Sequence, residues 1–277
     1  MPRSARGRLS ARTGALVLLA LCLVGFVAPL VAPADPLTTA LHDRLRPPDA
    51  SHLLGHDALG RDVLSRLLYG ARVSFIVGVA TLAISLVVGV TLGAAAGWAG
   101  GWLDEALVRL IDVFLAFPGL LLAIALAAVL GPSLANVVLA LSLLGWPGYA
   151  RLARAEVASL RRQEFVHAAS ALGARPLRIV VTHILPLALP TLLVQATFGM
   201  AGAIVAEASL SFLGLGVAPP TPSWGSMIAE GRTFLLVAPH VTLFPGLALA
   251  ATVLALQLLG DGLRDALDVR EGDGQRR

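Results

Sequence analysis

The side chains that enzymes use for covalent and metal chemistry are scarce in this 277-residue chain. All 21 basic residues are arginines, so no lysine is present to form a phosphate-binding P-loop or a Schiff base. The single cysteine, Cys22, can form neither an intrachain disulfide nor a thiolate metal site. Ser209 and Ser211 have no nearby histidine to act as a general base. We therefore predict no catalytic residues and no cofactor bound by this chain.

Histidines are the remaining candidates for a metal site. His52 and His56 stand four residues apart beside Asp57, a spacing that suits a metal ion. The glycine between the two histidines and the aspartate after them favour a turn instead. His167 and His183 lie on either side of a glycine turn, where interface or capping roles are the simpler interpretation. No metal site is predicted.

Two acids and one tryptophan lie at the ends of apolar runs. An acid within a membrane is a candidate functional residue, so Asp112 and Glu207 keep open a gradient-driven secondary transporter. At the end of a span, an acid can also reach the polar interface or cap a helix. Secondary transporters are often built from inverted repeats, and none is evident in the hydropathy. Trp224 is predicted to anchor the chain at a membrane interface.

The longest inner loop, residues 151–186, is predicted to be structured. Residues 163–172 are good helix formers, and Gly173 follows where a left-handed residue ends a helix. Pro176 suits the first turn of a second helix, and Pro186 begins the next apolar run. The inner loop would therefore present a short helix, a glycine turn and a second helix to another protein. A membrane scaffold that docks a soluble enzyme is one hypothesis for such a loop.

Composition identifies the class of protein that must position these residues. The chain is 57% hydrophobic and 14% charged, with a mean hydropathy of +0.81. Soluble domains carry about 25% charged residues, so an integral membrane protein is predicted, and the length of its apolar runs indicates an all-α fold. About 20 apolar residues cross a bilayer. Six runs approach this length: Ala15–Ala32, Phe75–Gly97, Val113–Leu130, Leu134–Ala150, Leu187–Ala206 and Val237–Leu259.

Local signals refine these six spans. Only residues 131–133, Gly-Pro-Ser, separate the third and fourth runs, which predicts a helical hairpin. The first run is predicted to be a retained helix, with a cleaved signal peptide ending near Ala34 as the alternative. Between the first two runs, the apolar residues of 63–71 share one helical face. We predict an amphipathic helix at the outer interface, with Asp62 and Arg66 paired across one turn.

The distribution of arginines predicts the orientation of the chain. With the N-terminus inside, the inner segments hold fifteen arginines and the outer segments hold six. Positive charge is retained on the cytoplasmic side of membranes, so both termini are predicted to be cytoplasmic. The net charge of +4 and the pI near 10.4 are then explained by orientation, and no nucleic acid is predicted as a partner.

The inner loop resembles a motif of the permease subunits of ATP-binding-cassette (ABC) importers. That motif is Glu-Ala-Ala, three residues, Gly, nine residues, and Ile-x-Leu-Pro. In this chain His167 replaces the glutamate, and Glu164 lies one turn earlier. The His-Ile-Leu-Pro ending is similar to the dipeptide, oligopeptide and nickel branch. The resemblance implies that the ATPase-coupling residues are Glu164, His167, Ala168, Ala169, Gly173, His183, Leu185 and Pro186.

Further segments in the same order resemble that branch, and together they cover about residues 52–270. They are residues 54–66 in the external loop, 115–118, 207–216, 219–225 and 259–268. The resemblance implies a type I ABC importer permease fold of about six transmembrane helices. The implied organisation is a first helix at 1–32, an external loop at 33–72, a core at 73–262 and a cytoplasmic tail at 263–277.

The resemblance also implies the partners. They would be a second homologous permease subunit, two ATPase subunits, an external solute-binding protein and the lipid bilayer of a bacterial inner membrane. ATP and Mg would bind the ATPase subunits, which agrees with the absence of lysine here. The expected solute is a dipeptide or oligopeptide, with nickel or glutathione as alternatives.

Overall fold

The computed structural model describes the backbone of residues 3–274 and the side chains of residues 10–266. Within these ranges the chain is helical and contains no strand. Several arginines used to predict the orientation, among them Arg3 and Arg277, have side chains outside the described residues. The α-helices are α1 (Arg3–Val31), α2 (Val63–Ala99), α3 (Gly101–Ala116), α4 (Gly119–Leu130), α5 (Leu134–Leu160), α6 (Glu164–Ala171), α7 (Pro176–Ile179), α8 (Leu185–Phe212), α9 (Trp224–Gly231) and α10 (His240–Gly274).

Four segments of the described chain are long and apolar enough to cross a membrane. They are Ser10–Val31, Val63–Ala99, Pro176–Phe212 and His240–Ala266. A fifth is added if α3 and α4, which meet at an angle of 83°, form one bent span. The fourth predicted run lies in the more polar α5. An all-α membrane protein is thus confirmed, and the number of six spans is approximate.

The third predicted span is not one helix. α3 ends at Ala116 and α4 begins at Gly119, with Phe117 in an extended conformation between them. Proline disfavours the helical region for the residue before it, so Pro118 breaks the run. The turn between the third and fourth runs was predicted correctly. Gly131 has a φ of +82°, and the Ser133 side chain accepts a hydrogen bond from the Asn136 N–H at the start of α5.

The predicted interfacial helix of the external loop is instead the first part of α2. Asp62 caps α2 by accepting the Ser65 N–H at 2.7 Å, and the helix then continues unbroken to Ala99. Ser65 and Arg66 are buried, so the polar face of this segment packs inside the protein. Asp62 is therefore a cap and not the partner of Arg66. The sequence-based prediction was wrong because Arg66 pairs with Asp57 of the external loop and with Glu230 of α9 instead of facing the membrane interface.

Glycines bring α2 and α5 into close backbone contact. They stand four residues apart, at Gly89, Gly93 and Gly97, as in the small-residue interfaces of membrane helices. A side chain at Gly97 would lie 2.6 Å from the Arg154 carbonyl, and one at Gly93 would clash with the carbonyl of Ala150. The sequence contained this signal, and it identifies α2 and α5 as the central helix pair.

α2 connects the two ends of the molecule. Its 37 residues span about 55 Å at 1.5 Å per residue, which exceeds the roughly 30 Å of a bilayer core. Near its start, Val63 packs in a cluster with Trp224. Near its end, Ala94 packs with Val166 of the inner loop. The external loop and the inner loop therefore lie at opposite ends of α2.

Trp224 does not anchor a membrane interface. Its side chain is 1% exposed, and its Nε1 donates a hydrogen bond to the Leu67 carbonyl at 3.1 Å. A side chain at Gly70 would lie 2.9 Å from the Trp224 ring, so α9 packs directly on α2. The prediction failed because it relied on residue type alone.

Candidate functional site

The inner loop contains a structured turn at its glycine. The Gly173 N–H donates to the Ser170 carbonyl at 3.0 Å, and the Ala174 N–H donates to the Ala169 carbonyl at 3.1 Å. These two bonds, with a φ of +81° at Gly173, form a Schellman motif that ends α6. The predicted requirement for a positive φ at this residue is confirmed, and the turn defines the direction in which the chain leaves α6.

Buried side chains anchor the inner loop to the membrane helices. Val166 of α6 and Ile179 of α7 are almost fully buried, and Ile184 is completely buried. They pack in one cluster with Ala94 of α2 and Val157 of α5. The loop is therefore a packed part of the protein, and a displacement of α6 must be transmitted to the helices beneath it.

The second helix of the inner loop is continuous with the next span. Residues Val180–Ile184 form a π-helical turn, in which the Leu185 N–H donates to the Val180 carbonyl five residues earlier. Pro186 falls in the first turn of α8, as predicted, yet the chain stays helical from Pro176 to Phe212. An external force on α7 thus acts directly on α8.

Six of the eight predicted ATPase-coupling residues are exposed on the inner loop. The exposed residues are Glu164, His167, Ala168, Gly173, His183 and Pro186, whereas Ala169 and Leu185 are half-buried and pack inwards. His183 has Thr182 as its hydrogen-bond partner, with 2.8 Å between Nδ1 and Oγ1. The Nδ1 atom of His183 is therefore engaged by Thr182 and not by His167.

Sequence reasoning missed the apolar tip of the inner loop, which we define as Phe165, Leu172 and Leu177. The side chain of Leu172 is 90% exposed and that of Leu177 is 75% exposed. Exposed large apolar side chains on a loop outside the membrane spans are typical of an interaction surface. The sequence did contain a signal for this surface, because Leu172 and Leu177 lie within four residues of Gly173 in a loop predicted to face water.

Ion pairs connect α3 to α5 near the start of the inner loop. Arg154 binds Asp104 through two nitrogens, and Arg151 Nη2 lies 3.1 Å from Asp112 Oδ1. The Asp112 and Arg151 side chains are 61% and 58% exposed. Asp112 is therefore an exposed paired acid, not the buried functional acid that the secondary-transporter hypothesis requires.

Glu207 is the buried acid of α8. It is completely buried, and it accepts hydrogen bonds from Ser211 Oγ at 2.7 Å and from Ser74 Oγ of α2 at 3.4 Å. It neither reaches the interface nor caps a helix, the two structural roles considered from sequence. Instead, it joins α8 to α2.

We define the outer ion cluster as Asp57, Arg61, Arg66 and Glu230. The side chains of Asp57, Arg61 and Arg66 are buried, and that of Glu230 is 38% exposed. Arg61 Nε lies 2.6 Å from Asp57, and its Nη2 lies 2.6 Å from Glu230 of α9. Arg66 lies 3.3 Å from Asp57 and 3.0 Å from Glu230. Two positive and two negative charges thus compensate one another, and they join the loop to α9.

His52 and His56 of the external loop lie against each other, and the buried His56 Nδ1 has no hydrogen-bond partner in the described part of the chain. His52 Nδ1 lies 3.0 Å from Asp62, and the His52 and His56 rings pack with centroids 4.2 Å apart. Asp57, the third candidate ligand, is bound by arginines. Nearby, hydrogen bonds from Ser51 and the His52 N–H lower the pKa of Asp49 to about 2, which keeps this turn charged.

Comparisons with known proteins agree with this arrangement. The family model of the binding-protein-dependent transport system inner membrane component matches residues 89–272. The glutathione transport system permease protein GsiD of Escherichia coli O157:H7 is 45% identical over 259 residues, which cover 93% of this chain and 86% of that protein. A Brucella suis protein named for a peptide transport system permease is 45% identical over 263 residues, 95% of this chain and 88% of its own.

Members of this family are inner membrane components that work with a solute-binding protein and an ATPase. The apolar helices and the structured inner loop fit that assignment. The chain therefore belongs to the family of binding-protein-dependent transport system inner membrane components, as a multi-pass permease subunit of an ABC importer.

Proposed function

We propose that this chain pairs with a second, homologous permease subunit and forms half of a solute pathway driven by two separate ATPase subunits. The observation that supports the coupling role best is the continuity of Pro176–Phe212. The apolar tip would bind an apolar groove of the ATPase, and closure of the ATPase dimer would move α7. Because α7 and α8 are one helical unit, that movement would tilt α8 within the membrane.

The chemistry of ATP hydrolysis would belong to the partners. ATP and Mg would bind the ATPase subunits, since this chain has no lysine for a P-loop. The chain itself would contribute no catalytic residue. His167 would face the ATPase where the related permeases have glutamate, and Glu164 would lie beside it as the nearby acid.

The proposed solutes are peptides or glutathione. Relatives that share 45% identity over most of both chains are named for glutathione and for peptide transport. Nickel remains the alternative drawn from the resemblance. Selection among these solutes would be made largely by the external solute-binding protein.

Both termini are proposed to be cytoplasmic, with the outer ion cluster outside. The external and inner loops pack at opposite ends of α2, which supports their placement on opposite sides of the membrane, and the excess of arginines in the inner segments supports the direction. In a Cys22→Ser background, cysteines at Ser159 and Thr221 should react with a membrane-impermeant reagent from opposite sides. Labelling of both from the same side would refute this topology.

The function is tested by purification in mild detergent and by reconstitution. We expect the ATPase subunits and a second permease to co-purify, and ATP-dependent uptake of a labelled dipeptide or of glutathione to require all subunits. The chain alone should neither hydrolyse ATP nor move solute. Uptake by the chain alone in response to an ion gradient would refute the proposal and favour a secondary transporter.

A further inference from the structure

A cavity of about 260 Å³ lies between α2, α4, α5 and α8. It is slightly smaller than the roughly 300–1,000 Å³ typical of sites for small molecules. Its lining contains glycines and apolar residues, together with the polar side chains of Thr81, Ser85, Tyr149 and Gln195. Among the described residues, no charged side chain lines it.

Two of these polar side chains are buried without a hydrogen-bond partner. Thr81 and Tyr149 are each 4% exposed, and neither the Thr81 Oγ1 nor the Tyr149 hydroxyl has a partner in the described part of the chain. Buried hydroxyls normally find one. Thr252, for example, is also buried in a helix and donates to the Ala248 carbonyl one turn earlier. The two unpartnered hydroxyls therefore require an explanation.

Glycines make room for the hydroxyls that line the cavity. A side chain at Gly199 would clash with the Tyr149 hydroxyl, and one at Gly145 would clash with Ser85 Oγ. Two other glycines that line the cavity border open space, because side chains at Gly119 or Gly202 would meet no atom within 4 Å. Small residues on α5 and α8 thus hold hydroxyl groups at the wall of a space that is left empty.

We propose that this cavity binds the amide groups of the solute in transit through hydrogen bonds to Thr81 and Tyr149. Hydroxyls both donate and accept, so they match the N–H and C=O groups that every peptide contains. The uncharged lining would leave the terminal charges of the solute unbound. Such a site holds many sequences weakly, as a pathway requires, since a solute that enters must also leave.

This inference rests on the proposed peptide pathway, but it can be tested by binding as well as by transport. The probe is N-acetylalanine methylamide, which carries two amide groups and no charge, added to the assembled wild-type transporter in detergent. Tyr149→Phe and Thr81→Val should each lower the affinity for the diamide about fivefold, as measured by thermal shift. This is the loss expected for one net hydrogen bond. Both substitutions preserve shape, so membrane levels should be unchanged.

Ser142 provides a matched control. Its hydroxyl is also buried without a partner, yet it does not line the cavity. Ser142→Ala should therefore bind the diamide as the wild type does. Equal binding by the wild type and Tyr149→Phe would overturn the proposal. So would absence of diamide binding, or an equal loss in Ser142→Ala.

Uptake by the reconstituted transporter separates this inference from the proposed function. Tyr149→Phe should lower uptake of limiting glutathione or dipeptide about fivefold. If the wild type takes up neither solute but binds the diamide through Tyr149, the solute assignment fails and the cavity proposal stands. If uptake occurs and Tyr149→Phe binds the diamide as tightly as the wild type does, the cavity proposal fails and the proposed function stands.

Discussion

Replacing Gly173 with valine is expected to uncouple transport while leaving the protein inserted and folded. The φ of +81° at Gly173 is required by the Schellman motif that ends α6. A valine would favour a negative φ, and the hydrogen bonds from Gly173 and Ala174 to the end of α6 would open. α7 would then leave α6 at a different angle, and the apolar tip would present a different surface to the ATPase.

The size of this effect comes from the backbone alone. A side chain built at Gly173 meets no atom within 4 Å, so no steric contact with neighbouring residues contributes. The left-handed conformation costs an ordinary residue about 1–2 kcal/mol, and strained positions cost about 1–3 kcal/mol. Because about 1.4 kcal/mol is a factor of ten, the native turn would lose between roughly fivefold and 150-fold in population.

Three substitutions separate backbone strain from side-chain size. Gly173→Asn should retain most uptake, because asparagine tolerates the left-handed region. Gly173→Ala should lose an intermediate amount, and Gly173→Val should lose the most. Membrane level, ATPase co-purification and solute uptake are measured for each. Membrane levels should stay equal, because Val166, Ile179 and Ile184 remain buried and anchor the loop.

Three results would refute this reasoning. Full uptake in Gly173→Val would remove the glycine turn from the coupling surface. An equal loss in Gly173→Asn and Gly173→Val would mean that the size of the side chain, and not φ, is what the ATPase senses. Reduced membrane level in all three variants would assign the residue to folding.

Two further predictions concern stability. Gly93→Ala should lower the thermal midpoint, because its Cβ clashes with the Ala150 carbonyl; Gly148→Ala, which meets no atom within 4 Å, should not. Equal effects would show that these glycines do not set the contact between α2 and α5. Asp57→Ala should cost about 3–5 kcal/mol in unfolding free energy, because it leaves two buried arginines short of a partner. The control is Asp43→Ala, which removes a pair with the largely exposed Arg46 and should cost about 1 kcal/mol or less. Equal losses of unfolding free energy in Asp57→Ala and Asp43→Ala would contradict a structural role for the outer ion cluster.

Local physics allowed much of this protein to be predicted from its sequence. Composition identified an integral membrane protein, because so few charged residues cannot cover a soluble surface, and the long apolar runs indicated that it is all-α. Gly173 and the turn at residues 131–133 were predicted correctly, since glycine is the residue that adopts a positive φ without steric cost where a helix ends. The ordered motifs identified an ABC importer permease, which the family match confirms. The ATPase-coupling role of the inner loop stays a prediction.

Only the tertiary structure decided which residues face one another. Arg61 and Arg66 looked like the polar face of an interfacial helix, yet they are buried because Glu230, more than 160 residues away, lies against them. Trp224 similarly became a core residue because α9 packs on α2. The unpartnered hydroxyls of Thr81 and Tyr149 become notable only when α2 and α5 border one cavity. Hydropathy and turn signals act within a few residues, whereas these environments depend on contacts between segments far apart in the chain.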